Sequence, residues 1–90
     1  MMKVKLFPQH APKAALNEGA KYLSAVWGGA SSKTGIEAYN NSLKSIVEKT
    51  HQFDGNLATT NGGFYLEKKG GVTHCLVPGH AFYLDKLNNK

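Results

Sequence analysis

The apolar positions along the chain follow three patterns, and each predicts a different element. Val4, Leu6 and Phe7 stand before Pro8, which pushes its predecessor out of the helical region and cannot donate a ladder bond, so this segment reads as a short strand. Pro12 suits a first helical turn, and Leu16, Ala20, Leu23 and Trp27 then recur at helical spacing, with Lys13, Asn17, Lys21 and Ser24 on the opposite side. That spacing predicts a first helix over about 12–27, stopped by Gly28-Gly29, with Trp27 as a core anchor. A second start signal follows at Thr34, whose hydroxyl can cap the amides ahead while Glu37 reaches back. The predicted second helix carries Ile36, Tyr39, Leu43, Ile46, Val47 and Thr50 on one face and ends at Asp54-Gly55. The short link between the two makes them an antiparallel helical hairpin.

From Leu57 the pattern changes to short runs separated by Asn61-Gly62, Gly70-Gly71 and Pro78-Gly79, which reads as an antiparallel β-meander of three or four strands. Counting outward from these turns places Leu66 opposite Cys75 and Glu67 opposite His74, and then His74 opposite Tyr83 and Cys75 opposite Phe82. One face collects Leu57, Thr59, Phe64, Leu66, Thr73, Cys75, Val77, Phe82 and Leu84, and matches the apolar helical stripes as the core. The other collects Ala58, Tyr65, Glu67, Val72, His74, Leu76, Ala81 and Tyr83, too apolar for idle solvent and too polar for a second core. The expected architecture is therefore α+β over residues 1–90: an N-terminal strand, a two-helix hairpin and a meander packed on the helices, in one domain.

Composition narrows the function classes. Ninety residues at 41% hydrophobic support one small core and leave little room for a deep, dry active site. No apolar run approaches the length of a membrane span, and the N-terminus carries no apolar segment of the secretory type, so the cytoplasm is the expected location. The single cysteine, Cys75, excludes an internal disulfide framework. The net charge of +5 comes from lysine alone, without arginine, which removes the planar fork used to read guanine and argues against sequence-specific DNA binding. A positive chain is equally unsuited to mimic DNA. Lysines are denser towards the N-terminus, where residues 1–45 hold six against Glu18 and Glu37.

The densest chemistry lies in His74-Cys75-Leu76-Val77-Pro78-Gly79-His80. Imidazole and thiolate are zinc ligands, but successive strand residues point to opposite faces, so His74 and Cys75 diverge and no metal or other cofactor is expected. His74 beside Glu67, Tyr65 and Tyr83 forms an alternative acid–base cluster, able to cleave RNA without metal because the 2′-hydroxyl is its own nucleophile. Tyr65, Lys68, Lys69, Tyr83 and Lys86 interleave rings with ammonium groups, the pattern of a sequence-tolerant RNA or DNA surface. The stretch from Gly62-Gly63-Phe64-Tyr65 to Val77-Pro78-Gly79-His80 resembles the central hairpin of HicA-type mRNA interferase toxins over about nineteen residues. Phe64 stands where that family places its catalytic histidine, and the long helical segment before the sheet is not part of that family's pattern.

The reading that joins these features is a small binding or inhibitor protein, with a phage or mobile element as the expected source. It would occupy a protein or nucleoprotein partner through Tyr65, Glu67, Lys68, Lys69, His74, Leu76 and Tyr83 on the open sheet face. The alternatives are an RNA-binding protein or ribonuclease-type toxin using His74, Glu67 and Tyr83, and a homodimer joined through Tyr65, Leu76 and Tyr83.

Overall fold

The computed structural model describes residues 4–7, 12–60 and 63–85. Along them run β1 (Lys5–Phe7), α1 (Pro12–Asn17), β2 (Lys21–Ser32), α2 (Gly35–Gln52), β3 (Leu57–Thr60), β4 (Tyr65–Lys69) and β5 (Val72–Tyr83). The fold is α+β, and β5 is its axis. β2 runs antiparallel along nearly the whole length of β5. The opposite edge of β5 is shared, with β4 pairing Val72–Leu76 and β3 pairing Gly79–Phe82, while β1 adds parallel to β3. The sheet order is thus β1-β3-β5-β2, with β4 attached to β5 alone.

α2 covers the face that we call inner, where Val26, Ala58, Cys75, Val77 and Ala81 surround Ala38 and Ile46. The helix lies very close to β2. A Cβ on Gly28 would run into the Ser42 carbonyl oxygen and come within 2.6 Å of Ile46 Cγ1, so only glycine fits beneath the helix. Ser42 is fully buried and donates to Ala38 O at 2.8 Å and Cys75 O at 3.2 Å, satisfying a hydroxyl that would otherwise be stranded. The buried line of α2 therefore passes through Ala38, Ser42, Ile46 and Thr50, with Tyr39 and Leu43 flanking it and Ile36 in solvent. Small residues mark the contact because the backbones approach so closely.

A second, smaller core lies on the outer face at one end of the sheet, where Ala15 of α1 and Ala20 pack on Leu57 and Phe82 beside Leu84. α1 has only six residues and reaches no further along that face.

Local signals explain the ends of α2. Thr34 caps the start by accepting from Glu37 N at 3.2 Å, while the Glu37 carboxylate takes a hydrogen bond from Ser32 Oγ. At the other end Asp54 N donates to His51 O at 3.0 Å and Gly55 N to Thr50 O at 2.9 Å, with Asp54 in the left-handed region at φ 60°. Gly70 and Gly71, at φ 58° and 79°, make the two-residue turn that joins β4 to β5.

Three expectations are corrected. The helix begun at Pro12 ends at Asn17, and Lys21–Ser32 is a strand, so the two helices are separated by β2 rather than by a short link. Leu23 and Trp27 keep helical spacing by coincidence. Strand alternation is hard to see there because Gly28 takes an inward position, where α2 leaves no room for a side chain. Pro78-Gly79 makes no turn. It lies within β5, so Tyr83 pairs with Lys21 at the far end of the strand from His74, and Phe82 and Ala81 exchange faces relative to the meander. Phe82 O accepts from Asn56 N at 3.0 Å, and the two-residue period of the strand turns the Pro78 nitrogen to that same edge. There it meets the interval between Leu76, the last residue paired to β4, and Gly79, the first paired to β3, where a missing N–H breaks no ladder bond. Finally, β3 and β4 each pair with β5 and do not form a hairpin with each other. The Asn61-Gly62 turn, His10, Lys86 and the Asn88-Asn89-Lys90 tail lie outside the described residues.

Candidate functional site

α1 covers one end of the outer face, and the rest of that face carries Tyr22, Trp27, Tyr65, Val72 and Leu76 as exposed large apolar side chains. The register sets them in rows across three strands. In the middle row Gly29, Leu76 and Tyr65 are neighbours, and the next position along β2 and β5 on this face pairs Trp27 with Pro78. Tyr65 is 64% exposed and Trp27 45%, and their rings lie 6.4 Å apart at 29°, an aromatic pair spanning β5. Leu76 lies over the bare Gly29, where a Cβ would stand 3.6 Å from its Cδ1. Among the described residues no helix lies over these side chains, although Lys49 of α2 donates to the Trp27 carbonyl from the other side of the sheet.

The row towards the β4–β5 turn contains Ser31, His74 and Glu67. The Ser31 hydroxyl and His74 Nδ1 are 2.6 Å apart, so the ring is oriented from β2 while Glu67 faces it from β4. On the α1 side of Trp27, Tyr22 and His80 repeat the theme: the Tyr22 hydroxyl lies 3.1 Å from His80 Nδ1, and its ring meets Phe82 edge-on at 5.4 Å. Each outer-face histidine of β5 is thereby tied to a hydroxyl of β2.

The expected site residues divide accordingly. Tyr65, Glu67, His74 and Leu76 share the outer face, and Lys69 joins them opposite Val72. Lys68 is exposed and pairs with Thr73, which places it with the inner-face set. Tyr83 belongs neither to this cluster nor to any acid–base arrangement with His74 and Glu67, because β5 continues straight between them. Cys75 is buried and free on the inner face, turned away from His74. Trp27 was the residue that sequence reasoning misplaced. Once β2 is recognised as a strand, its alternation with the inward Val26 and Gly28 is the signal that puts the indole outside.

The segment that resembles HicA-type toxins corresponds in its described part to β4 and to β5 as far as His80, and the Phe64 ring there lies 5.1 Å from the ring of Tyr39 of α2. Among the described residues no cluster of three or more His, Cys, Asp or Glu side chains is placed to hold a metal ion, and no helix is long and apolar enough to cross a membrane. No protein-family model matches the chain, and no curated protein matches its sequence.

Proposed function

We propose that this chain is a small binding protein that occupies a protein or nucleoprotein partner through the open part of its outer sheet face. The observation that carries the reading is the Trp27–Tyr65 pair, two large rings held side by side over β5 with Leu76 between the strands and no element of the described chain above them. Tryptophan and tyrosine are the side chains most often found at the energetic centre of interfaces, because each buries much area at little cost in side-chain entropy. The free buried Cys75 suits a reducing compartment, so the reading places the protein in the cytoplasm, as an inhibitor of the kind encoded by phages and mobile elements.

The test is capture from a lysate of the source organism, with and without nuclease, by wild type and by a Trp27→Ala/Tyr65→Glu variant whose circular dichroism is unchanged. One defined protein retained after nuclease and lost in the variant supports the reading; equal capture by both proteins removes the face from the interaction. Capture that disappears with nuclease, and that weakens steeply with salt, moves the assignment to nucleic acid bound by the same rings with Lys69, the lysine that shares their face.

The Ser31–His74 contact favours a second reading, in which the oriented imidazole with Glu67 beside it acts on RNA. Cleavage by the wild-type protein that is abolished in His74→Ala carries that reading. Absence of cleavage, or cleavage unaffected by the substitution, ends it.

A further inference from the structure

Among the described residues the sheet has three edges with no neighbour, and they differ in one respect. β1 has three residues, begins with Lys5 and is followed by Pro8. β4 carries Glu67, Lys68 and Lys69 in five residues. Such short, charged or proline-flanked edges resist pairing with another chain. β2 has twelve residues, and from Tyr22 to Ser32 it contains no charge and no proline. Its one irregularity, the register shift between Tyr22 and Ser24, lies at one end and leaves Ala25–Ser32 regular.

The hydrogen-bonding direction of this edge follows from the structure. Lys69 and Val72 flank a two-residue turn and so form a bonded pair, which turns the even-numbered residues of β5 towards β4. The odd-numbered residues of β5 then bond to even-numbered residues of β2, and Ala25, Trp27, Gly29 and Ser31 direct their N–H and C=O groups away from the sheet. The hydrogen bond from Lys49 Nζ to Trp27 O agrees, because that carbonyl is taken by a side chain instead of a strand.

We propose that this edge pairs antiparallel with β2 of a second copy, about a two-fold axis at Gly28. In that register Trp27 stands opposite the partner's Gly29, and Ala25 opposite the partner's Ser31. Each indole then covers the bare backbone of a glycine in the other copy, whereas an axis at Trp27 would set two indoles against each other. Val26 meets the partner's Ala30 on the inner face. Although each copy carries +5, no two charges are opposed within the uncharged run itself, and the two Lys49 ammonium groups, one at Trp27 O of each copy, swing off the edge into solvent as the partner strand enters. The partner's Gly29 N–H replaces the Lys49 ammonium on Trp27 O.

The experiment is sedimentation equilibrium from micromolar to millimolar concentration. Wild type is expected to move from the 9.8 kDa of one chain towards twice that mass. Ala25→Lys/Ser31→Lys and Ala25→Glu/Ser31→Glu place like charges opposite each other across the axis, so each is expected to remain monomeric, while an equimolar mixture of the two regains the doubled mass. Thermal unfolding and circular dichroism of each variant check that the monomer is folded. Amide hydrogen exchange supplies a second readout in wild type, with Trp27 and Gly29 becoming protected as concentration rises. A wild type that stays at 9.8 kDa throughout overturns the proposal. So does a dimer that survives both like-charge variants while Trp27 and Gly29 exchange freely, because it is joined elsewhere.

Discussion

At the scale of the residue, the inner face is governed by positions where almost nothing else fits. Gly28 is one, since a methyl group there would have to displace the backbone of α2. Gly28→Ala is expected to lower the unfolding free energy by about 3 kcal/mol, at the upper end of overpacking costs, as measured by urea denaturation. Asn56 is another kind. Its side chain is buried and acts as a backbone mimic, donating from Nδ2 to Leu84 O at 2.9 Å and accepting from Leu84 N at 2.8 Å, and so ties the start of β3 to the residue after β5. Asn56→Ala removes both bonds and strands two main-chain groups, and should cost about 2–3 kcal/mol in the same measurement. Neither role is visible as hydrophobicity, and a search for apolar positions passes over both.

At the scale of the element, α2 shows how a local signal survives in the folded state. Its cap at Thr34 and its stop at Asp54-Gly55 are readable in the sequence because each depends on residues within one turn. Asp54 holds a left-handed conformation that glycine adopts without a Cβ clash, so Asp54→Gly is expected to stabilise the protein by about 0.5–1 kcal/mol, seen as a higher thermal midpoint. The β4–β5 hairpin was legible for the same reason, and with it the pairing of Glu67 with His74 and Leu66 with Cys75. β2 and the second half of β5 were not. Their conformations are decided by neighbours distant in sequence: α2 demands a glycine inside β2, and the interval between β3 and β4 accepts a proline inside β5. The same dependence explains why half of the candidate site was found and half was not. Tyr65, Glu67, His74 and Leu76 are grouped by one tight turn, whereas Trp27 and Ser31 reach them only through β2, and Tyr83 was drawn in by a turn that does not exist.

At the scale of the whole molecule, the sheet has unequal cover. An eighteen-residue helix packs over β2 and β5 on the inner face and a six-residue helix covers one end of the outer face, which leaves the aromatic pair and the histidine rows open and the edge of β2 without a neighbour among the described residues. Stability and binding are therefore separable: substitutions beneath α2 should move the unfolding midpoint, and Trp27 or Tyr65 substitutions should change capture with far smaller effects on it. The contacts that hold the fold are non-local, since among the described residues β2 finds its strand partner some fifty residues later. Refolding by stopped-flow Trp27 fluorescence is accordingly expected in the millisecond to second range, slower than for a helical bundle of this size.

The placement of β5 also has a consequence for synthesis. β2, β3 and β4 all take their antiparallel partner from residues 72–83, the last of the described strands to be made. Until those residues emerge from the ribosome, the uncharged run of β2 is out in solution with both of its edges unmatched and only α2 to shield it. Slow translation beyond residue 60 lengthens that interval, so yield in the cell should respond to codon choice in the β4–β5 hairpin even where the amino-acid sequence is unchanged.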